Sequence, residues 1–283
     1  MIITKLYGGL GNQLFQFWSS FVYATKIRTQ LCFDIRAFDR GNPGSTKREF
    51  EIIELIKLFS SYKINSSFDN CKYDFLFRLG RIKVLNDKQH GLLINQEKSR
   101  NLILDGYWQN YRNLIDDREY IRKIMFNLKK YSLNQYELSS EKSLMIHVRR
   151  GDYVSNPKAN RHHGVLSREY FLDAFETINS QRKIDHILVF SDDINWCKQN
   201  LDFNLKTSFI HDLDELRPID YLLLMSEAKY FVLSHSSFSW WAAFLGESDN
   251  STVIMPDVWD KVSGININRL ALPKWKTLEA KIN

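Results

Sequence analysis

The stretch Ile146-His147-Val148-Arg149-Arg150-Gly151-Asp152-Tyr153 places an imidazole, two guanidiniums and a carboxylate directly behind a short apolar run, Leu144-Met145-Ile146. Adjacent guanidiniums are costly near a core unless they meet carboxylates or phosphates, whose oxygens match their forked donors. Ligands of open α/β sheets sit just beyond the carboxyl ends of the strands, so this arrangement suits an anion. Two further apolar runs end in the same way: Ile187 to Phe190 in Ser191-Asp192-Asp193, and Tyr230 to Leu233 in Ser234-His235-Ser236-Ser237-Phe238-Ser239. The serine cluster opens a helix, so its hydroxyls, amides and helix dipole suit a pyrophosphate. Arg149 or Arg150 would supply the compensating charge, and Asp192 or Asp193 would take ribose or sugar hydroxyls. Asp220, near the start of the preceding helix, suits a nucleobase. Taken singly, each aspartate and serine serves equally well as a helix cap. Their joint placement is what points to a nucleoside diphosphate.

The amino-terminal half has two chemistry-bearing strand ends of its own. Gly8-Gly9-Leu10-Gly11-Asn12-Gln13 joins a strand to a helix, a turn suited to an anion. Leu14 stands where a dinucleotide fingerprint has its third glycine, which counts against an NAD-binding oxidoreductase. Asp105-Gly106-Tyr107-Trp108-Gln109-Asn110-Tyr111 combines aromatic and amide side chains, a mixture that suits sugar rings but serves equally as core and cap. Asp212-Leu213-Asp214 has the spacing of a carboxylate pair that holds a divalent cation on a nucleotide, although such triplets recur by chance.

These groups need a scaffold, and the hydrophobic pattern supplies one. Ile2 to Leu6 reads as a strand, Leu14 to Ile27 as a helix and Leu31 to Ile35 as a second strand ending near Asp34. Leu102 to Leu104 is another strand, and Asp116 or Asp117 caps a helix carrying Ile121, Ile124, Met125 and Leu128. Residues 37 to 100 show no clear period beyond a turn at Gly41-Asn42-Pro43-Gly44-Ser45. The polar run Lys129 to Lys142 is the expected linker, dividing the chain into domains 1–135 and 136–283. The second domain alternates regularly: strands at Leu144–Val148, Ile187–Phe190, Phe209–Ile210, Tyr230–Leu233 and Val253–Met255, the last of them. Helices lie between, opened by Ser167, Ile194, Pro218 and Trp240. Such alternation predicts a parallel, doubly wound α/β sheet.

The chain of 283 residues is 44% hydrophobic and 14% aromatic, enough to build cores in two domains. Its net charge of +6 favours an anionic partner, but no dense basic tract with interleaved aromatics marks a nucleic-acid surface. Cys32, Cys71 and Cys197 have neither disulfide nor metal spacing, which suits a reducing compartment. With no signal peptide and no long apolar run, a cytoplasmic protein is expected.

Taken in order, Gly8–Gln16, Gly106–Gln109, His147–Tyr153, Phe190–Asp193 and Ser236–Ala243 form a set that resembles the bacterial α-1,2-fucosyltransferases of glycosyltransferase family 11. His163-Gly164 followed by Ser167 and Tyr170 belongs to the same resemblance, which extends from residue 2 to about 275. It implies a GT-B fold, two Rossmann-like domains facing a cleft. It also implies inverting transfer of L-fucose from GDP-L-fucose to the 2-hydroxyl of a β-galactoside, without metal or cofactor. By motif position Arg149 is the essential arginine on the donor phosphate, with Arg150 and Asp152 completing its loop. By looser analogy Asp220 holds guanine and Ser234, Ser236, Ser237 and Phe238 the donor, with Gly9, Gly11, Asn12 and Gln13 approaching from the other domain and Asp192 contributing. Tyr107, Trp108, Gln109 and Asp34 would face the acceptor. The base that takes the acceptor proton stays open among Asp152, His163, His147 and Asp34. The implied acceptor is a surface polysaccharide such as O-antigen, assembled on a lipid carrier, with the positive charge aiding peripheral contact with the inner membrane.

Overall fold

The computed structural model describes residues 1–40, 48–59, 82–87, 91–93, 101–130, 142–211, 216–262 and 265–282. The expected turn at Gly41–Ser45, Cys71, the Asp212-Leu213-Asp214 triplet and most of the expected linker lie outside them. The chain forms two compact units, Met1–Leu128 and Lys129–Asn283.

Unit 1 runs β1 (Ile2–Lys5), α1 (Leu10–Lys26), β2 (Leu31–Asp34), α2 (Arg36–Arg40), α3 (Ile53–Leu58), β3 (Lys83–Asn86), β4 (Leu102–Asp105) and α4 (Arg118–Phe126). Its four strands among the described residues are all parallel, in the order β2-β1-β4-β3. The strand residues Ile2, Ile3, Phe33, Leu102 and Leu104 are buried, as expected where helices cover a parallel sheet. Helix α1 packs Leu14, Phe17 and Trp18 at helical spacing, all fully buried. Phe17 stacks on Phe33 of β2 with ring centroids 5.4 Å apart. Each such ring contributes about 2–3 kcal/mol through the area it removes from water.

Unit 2 runs β5 (Ser143–Val148), α5 (Gly151–Ser155), α6 (Pro157–His163), α7 (Arg168–Asn179), β6 (His186–Ser191), α8 (Ile194–Asn200), β7 (Thr207–His211), α9 (Pro218–Met225), β8 (Tyr230–Val232), α10 (Ser237–Gly246), β9 (Thr252–Pro256) and β10 (Lys276–Leu278). The parallel sheet is ordered β7-β6-β5-β8-β9-β10. Numbered within the unit this is 3-2-1-4-5-6, the Rossmann order, in which the strand order reverses between the first and fourth strands. The switch point therefore lies between β5 and β8. Val253–Met255 is not the last strand: β10 completes the sheet, an edge element of three residues too short and too exposed to show any alternation. His163 also closes a helix rather than sitting in a loop. Asn156 caps that helix through Lys158 N, and Pro157 fits its first turn. Two parallel α/β sheets, one per unit, are the two Rossmann-like domains expected of a GT-B chain.

Candidate active site

Register explains the arginine loop. Val148 of β5 pairs with Ser191 of β6, so the chain leaves the sheet with Arg149 and Arg150 beside Asp192 and Asp193. Asp192 accepts from the Arg150 amide at 2.8 Å and forms an ion pair with Arg149 Nη1 at 2.7 Å. Arg149 Nη2 donates to Asp152 at 2.5 Å. Burial works against the Arg149 charge, but Asp192 and then Asp152 outweigh it and raise its pKa above the ordinary guanidinium value. Two of its N–H groups are spent on these carboxylates, and the side chain stays 24% exposed. Further donors thus remain for a ligand. Arg150 turns away, pairing with Asp193 at 3.0 Å and lying 4.0 Å from the centroid of the Trp196 ring. Gly151 has its own steric reason: a Cβ there would come 2.5 Å from Asp192 Oδ2.

The other side of the switch point is tied to the first by a short polar bridge. The Ser234 hydroxyl donates to the His147 carbonyl at 3.0 Å and sits 2.8 Å from His147 Nδ1. Its only proton is committed to the carbonyl, which assigns the imidazole proton to Nδ1. Burial, and then the Arg149 charge, depress the His147 pKa to about 3, so the ring is neutral near pH 7. Ser236 caps α10 by accepting from Phe238 N at 3.3 Å, leaving Ser237 at the first turn beside it. The Phe238 ring lies 6.1 Å from His147.

Sequence reasoning assigned no role to Tyr153 or His235, and the structure places both beside this loop. The Tyr153 ring stacks on His163 at 4.5 Å and lies 5.6 Å from Arg149 Cζ. Its hydroxyl donates to the His235 carbonyl at 3.2 Å. Burial, followed by the neighbouring His162, lowers the His163 pKa to about 4, and burial followed by His163 does the same to His235. Asp220 is buried and held by Arg217 through bonds of 2.6 and 2.9 Å, and accepts from Lys130 N at 2.9 Å.

Unit 1 has its own switch point, between β1 and β4. Gly8, at φ +82°, turns the chain from β1 toward α1, and a Cβ on Gly9 would meet nothing within 4 Å. Gln109 Nε2 donates to Asn12 Oδ1 at 2.8 Å, and the rings of Tyr7 and Tyr107 approach to 5.0 Å. Burial, then Asp105, raises the Tyr7 pKa. Asp87 accepts from the amides of Tyr107 and Trp108, and so holds Trp108 at a positive φ of 57°. Three expected site residues have structural partners here. Gln13 is buried and ties Gly8 to Glu49 and Glu51; Trp108 is fully buried; Asp34 grips Arg36 at 2.7–2.8 Å. The Tyr7 and Asp87 roles left no trace in the sequence, because neither lies in a recognisable pattern.

A family model described as Glycosyl transferase family 11 matches residues 85–279. The chain belongs to glycosyl transferase family 11. It is 28% identical to an alpha-1,2-colitosyltransferase of Escherichia coli over 293 residues, covering 99% of both chains. It is also 25% identical to the O-antigen biosynthesis glycosyltransferase WbnK of the same species, covering 96% of this chain and 99% of that one. The human galactoside alpha-(1,2)-fucosyltransferase 1 is 25% identical over 143 residues, which are 49% of this chain and 39% of that protein. The matched family region contains the whole arginine loop and the Ser234–Ser239 turn. Among the described residues of this family 11 chain, no helix is long and apolar enough to cross a membrane.

Proposed function

We propose that this glycosyltransferase moves L-fucose from GDP-β-L-fucose to the 2-hydroxyl of a terminal β-galactoside, inverting the anomeric centre without a metal, in the assembly of a surface polysaccharide such as O-antigen. The observation that carries the reading is Arg149, fixed by two carboxylates at a Rossmann switch point with donors to spare. The sugar C1–O bond breaks and its electron pair passes to the GDP β-phosphate, while the acceptor oxygen bonds to C1 and gives up its proton. A guanidinium aimed at that phosphate stabilises the departing charge more in the transition state than in the ground state. The Ser236 and Ser237 turn, at the amino end of α10, supports the other phosphate oxygens.

A strong histidine base is not part of the reading. His147 and His163 have pKa values lowered to about 3 and about 4 by burial, so each is a weak proton acceptor. Asp34 is engaged with Arg36. The acceptor proton passes to a carboxylate or to water; Asp152, paired with Arg149, is the carboxylate the reading retains, and a loose, oxocarbenium-like transition state asks little of any base.

The relatives' names divide between fucose and colitose, which is fucose without its 3-hydroxyl. The test is GDP release from GDP-L-fucose and from GDP-L-colitose against a panel of β-galactosides, in EDTA, with the product linkage assigned by NMR. An α-1,2-linked fucoside formed in EDTA is the expected product. Turnover confined to the colitosyl donor, or lost on chelation, would overturn the fucosyl or the metal-free part of the reading.

A further inference from the structure

Arg149 receives its direction from more than its two carboxylates. Asp152 and Asp192 each hold one terminal nitrogen, and neither supports the flat face of the guanidinium. Tyr153 provides the nearest aromatic surface, 5.6 Å from Arg149 Cζ. That ring is itself tethered twice. His163 lies against it at 4.5 Å with an interplanar angle of 11°, and its hydroxyl is bonded to the His235 carbonyl. His163 in turn ends α6, whose Asn160 donates to the Tyr153 carbonyl at 2.8 Å. The contacts thus join the arginine loop, the end of α6 and the strand end after β8.

We propose that Tyr153 and His163 are positioning residues, a stacked aromatic pedestal that fixes the orientation of the Arg149 guanidinium at the switch point. The imidazole of His163 acts in it as a flat ring. Its Nδ1 is buried without a hydrogen-bond partner, so the proton chemistry of that atom is unused. A carbon ring of similar size replaces that atom without breaking a hydrogen bond, and activity retained in such a variant is incompatible with a general base at this position. A rigid guanidinium meets the developing phosphate charge without reorganising, whereas a displacement of about 1 Å costs on the order of 10²-fold in rate.

The proposal deepens the reading of the same site, and its kinetic part rests on that reading. Its spectroscopic part does not. Nitrogen-15 relaxation of the arginine side chains, with Arg149→Lys used for assignment, reports how ordered the Arg149 guanidinium is while its two ion pairs persist. High order is expected in the wild type, lower order in Tyr153→Leu and His163→Ala, and high order again in His163→Phe. In turnover assays Tyr153→Leu should lower kcat by about 10²-fold with a far smaller change in donor KM. Tyr153→Phe should keep most of the activity, and His163→Phe should recover most of what His163→Ala loses. If His163→Phe is as inactive as His163→Ala, or if the relaxation of the Arg149 resonances is unchanged in both Tyr153→Leu and His163→Ala, the pedestal is wrong. If the wild type transfers no sugar from either nucleotide donor, the proposed function fails, and the resonances alone decide the pedestal.

Discussion

The two units use the same place in the same kind of sheet to opposite electrostatic ends. At the switch point of unit 1 the described contacts are an amide pair, Asn12–Gln109, a phenol pair, Tyr7–Tyr107, and the ion pair Lys5–Asp105 at 2.6 Å. At that of unit 2, Arg149 and Arg150 meet Asp152, Asp192 and Asp193. The amide and phenol pairs of the first, beside their one described ion pair, offer directional hydrogen bonds. Charges of the second kind respond to a change in charge, which is what a departing diphosphate supplies. The difference teaches that the shared topology decides where a ligand lies, while the residues leaving the strands decide whether that place binds or reacts.

Arg149→Ala is the most severe way to break the contrast. It should lower kcat by roughly 10³-fold, because a single charge-stabilising donor in a water-poor site has that order of effect. Arg149→Lys should rescue little, since a point charge cannot serve two carboxylates and a phosphate together. Tyr107→Phe at the switch point of unit 1 should leave kcat far less changed. Comparable losses in steady-state assays would erase the proposed division.

Acid should separate the units next. The folded-state pKa values of His147, His163 and His235 are lowered from 6.5 to about 3, 4 and 4. As pH falls below 6.5 the unfolded chain gains protons on these rings that the folded chain refuses. Stability they contribute at neutral pH is therefore lost between 6.5 and about 4, by up to about 2 kcal/mol per histidine at pH 5. All three lie in unit 2. Hydrogen exchange at pH 7 and pH 5 should show protection falling in β5, β6 and β8 while β1 and β4 keep theirs.

Gly151→Ala is a smaller perturbation aimed at the same clamp. The added methyl must displace Asp192, which holds both Arg149 and the Arg150 amide. A loss of about 10-fold in kcat, with donor binding by calorimetry weakened less, is expected. Least severe for turnover is Gln13→Ala in unit 1. Removing its bonds to Gly8, Glu49 and Glu51 should cost about 1–3 kcal/mol in a urea titration, with kcat changed only a few-fold.

Much of this architecture was legible because parallel strands buried on both faces are written as unbroken apolar runs, as in Leu144–Ile146 and Ile187–Phe190. Their polar terminators marked the rim where the structure brings Arg149, Asp152 and Asp192 together. Short elements were not legible: α5 and α6 are mostly polar, and β10 is an exposed edge strand. Within the site, residue type placed Arg149 but could not reveal its partner, since Asp192 meets it only through the Val148–Ser191 register. Gln13 and Trp108 had the chemistry of ligand contacts, yet buried amide and indole groups also build cores, and burial is a property of the fold. Tyr153 stood inside the most informative motif without a role, because an aromatic after a charged loop reads as core until its neighbours are known.

Trp108 confronts any redesign of the aromatic loop with two opposed demands. Its left-handed backbone favours glycine, at a cost of roughly 1–2 kcal/mol for any larger residue, while its indole fills a volume that glycine would leave empty. Neither demand can be relaxed without worsening the other. Change in this loop is therefore easier at the flanking Tyr107 and Gln109, turning about a pivot that itself stays fixed.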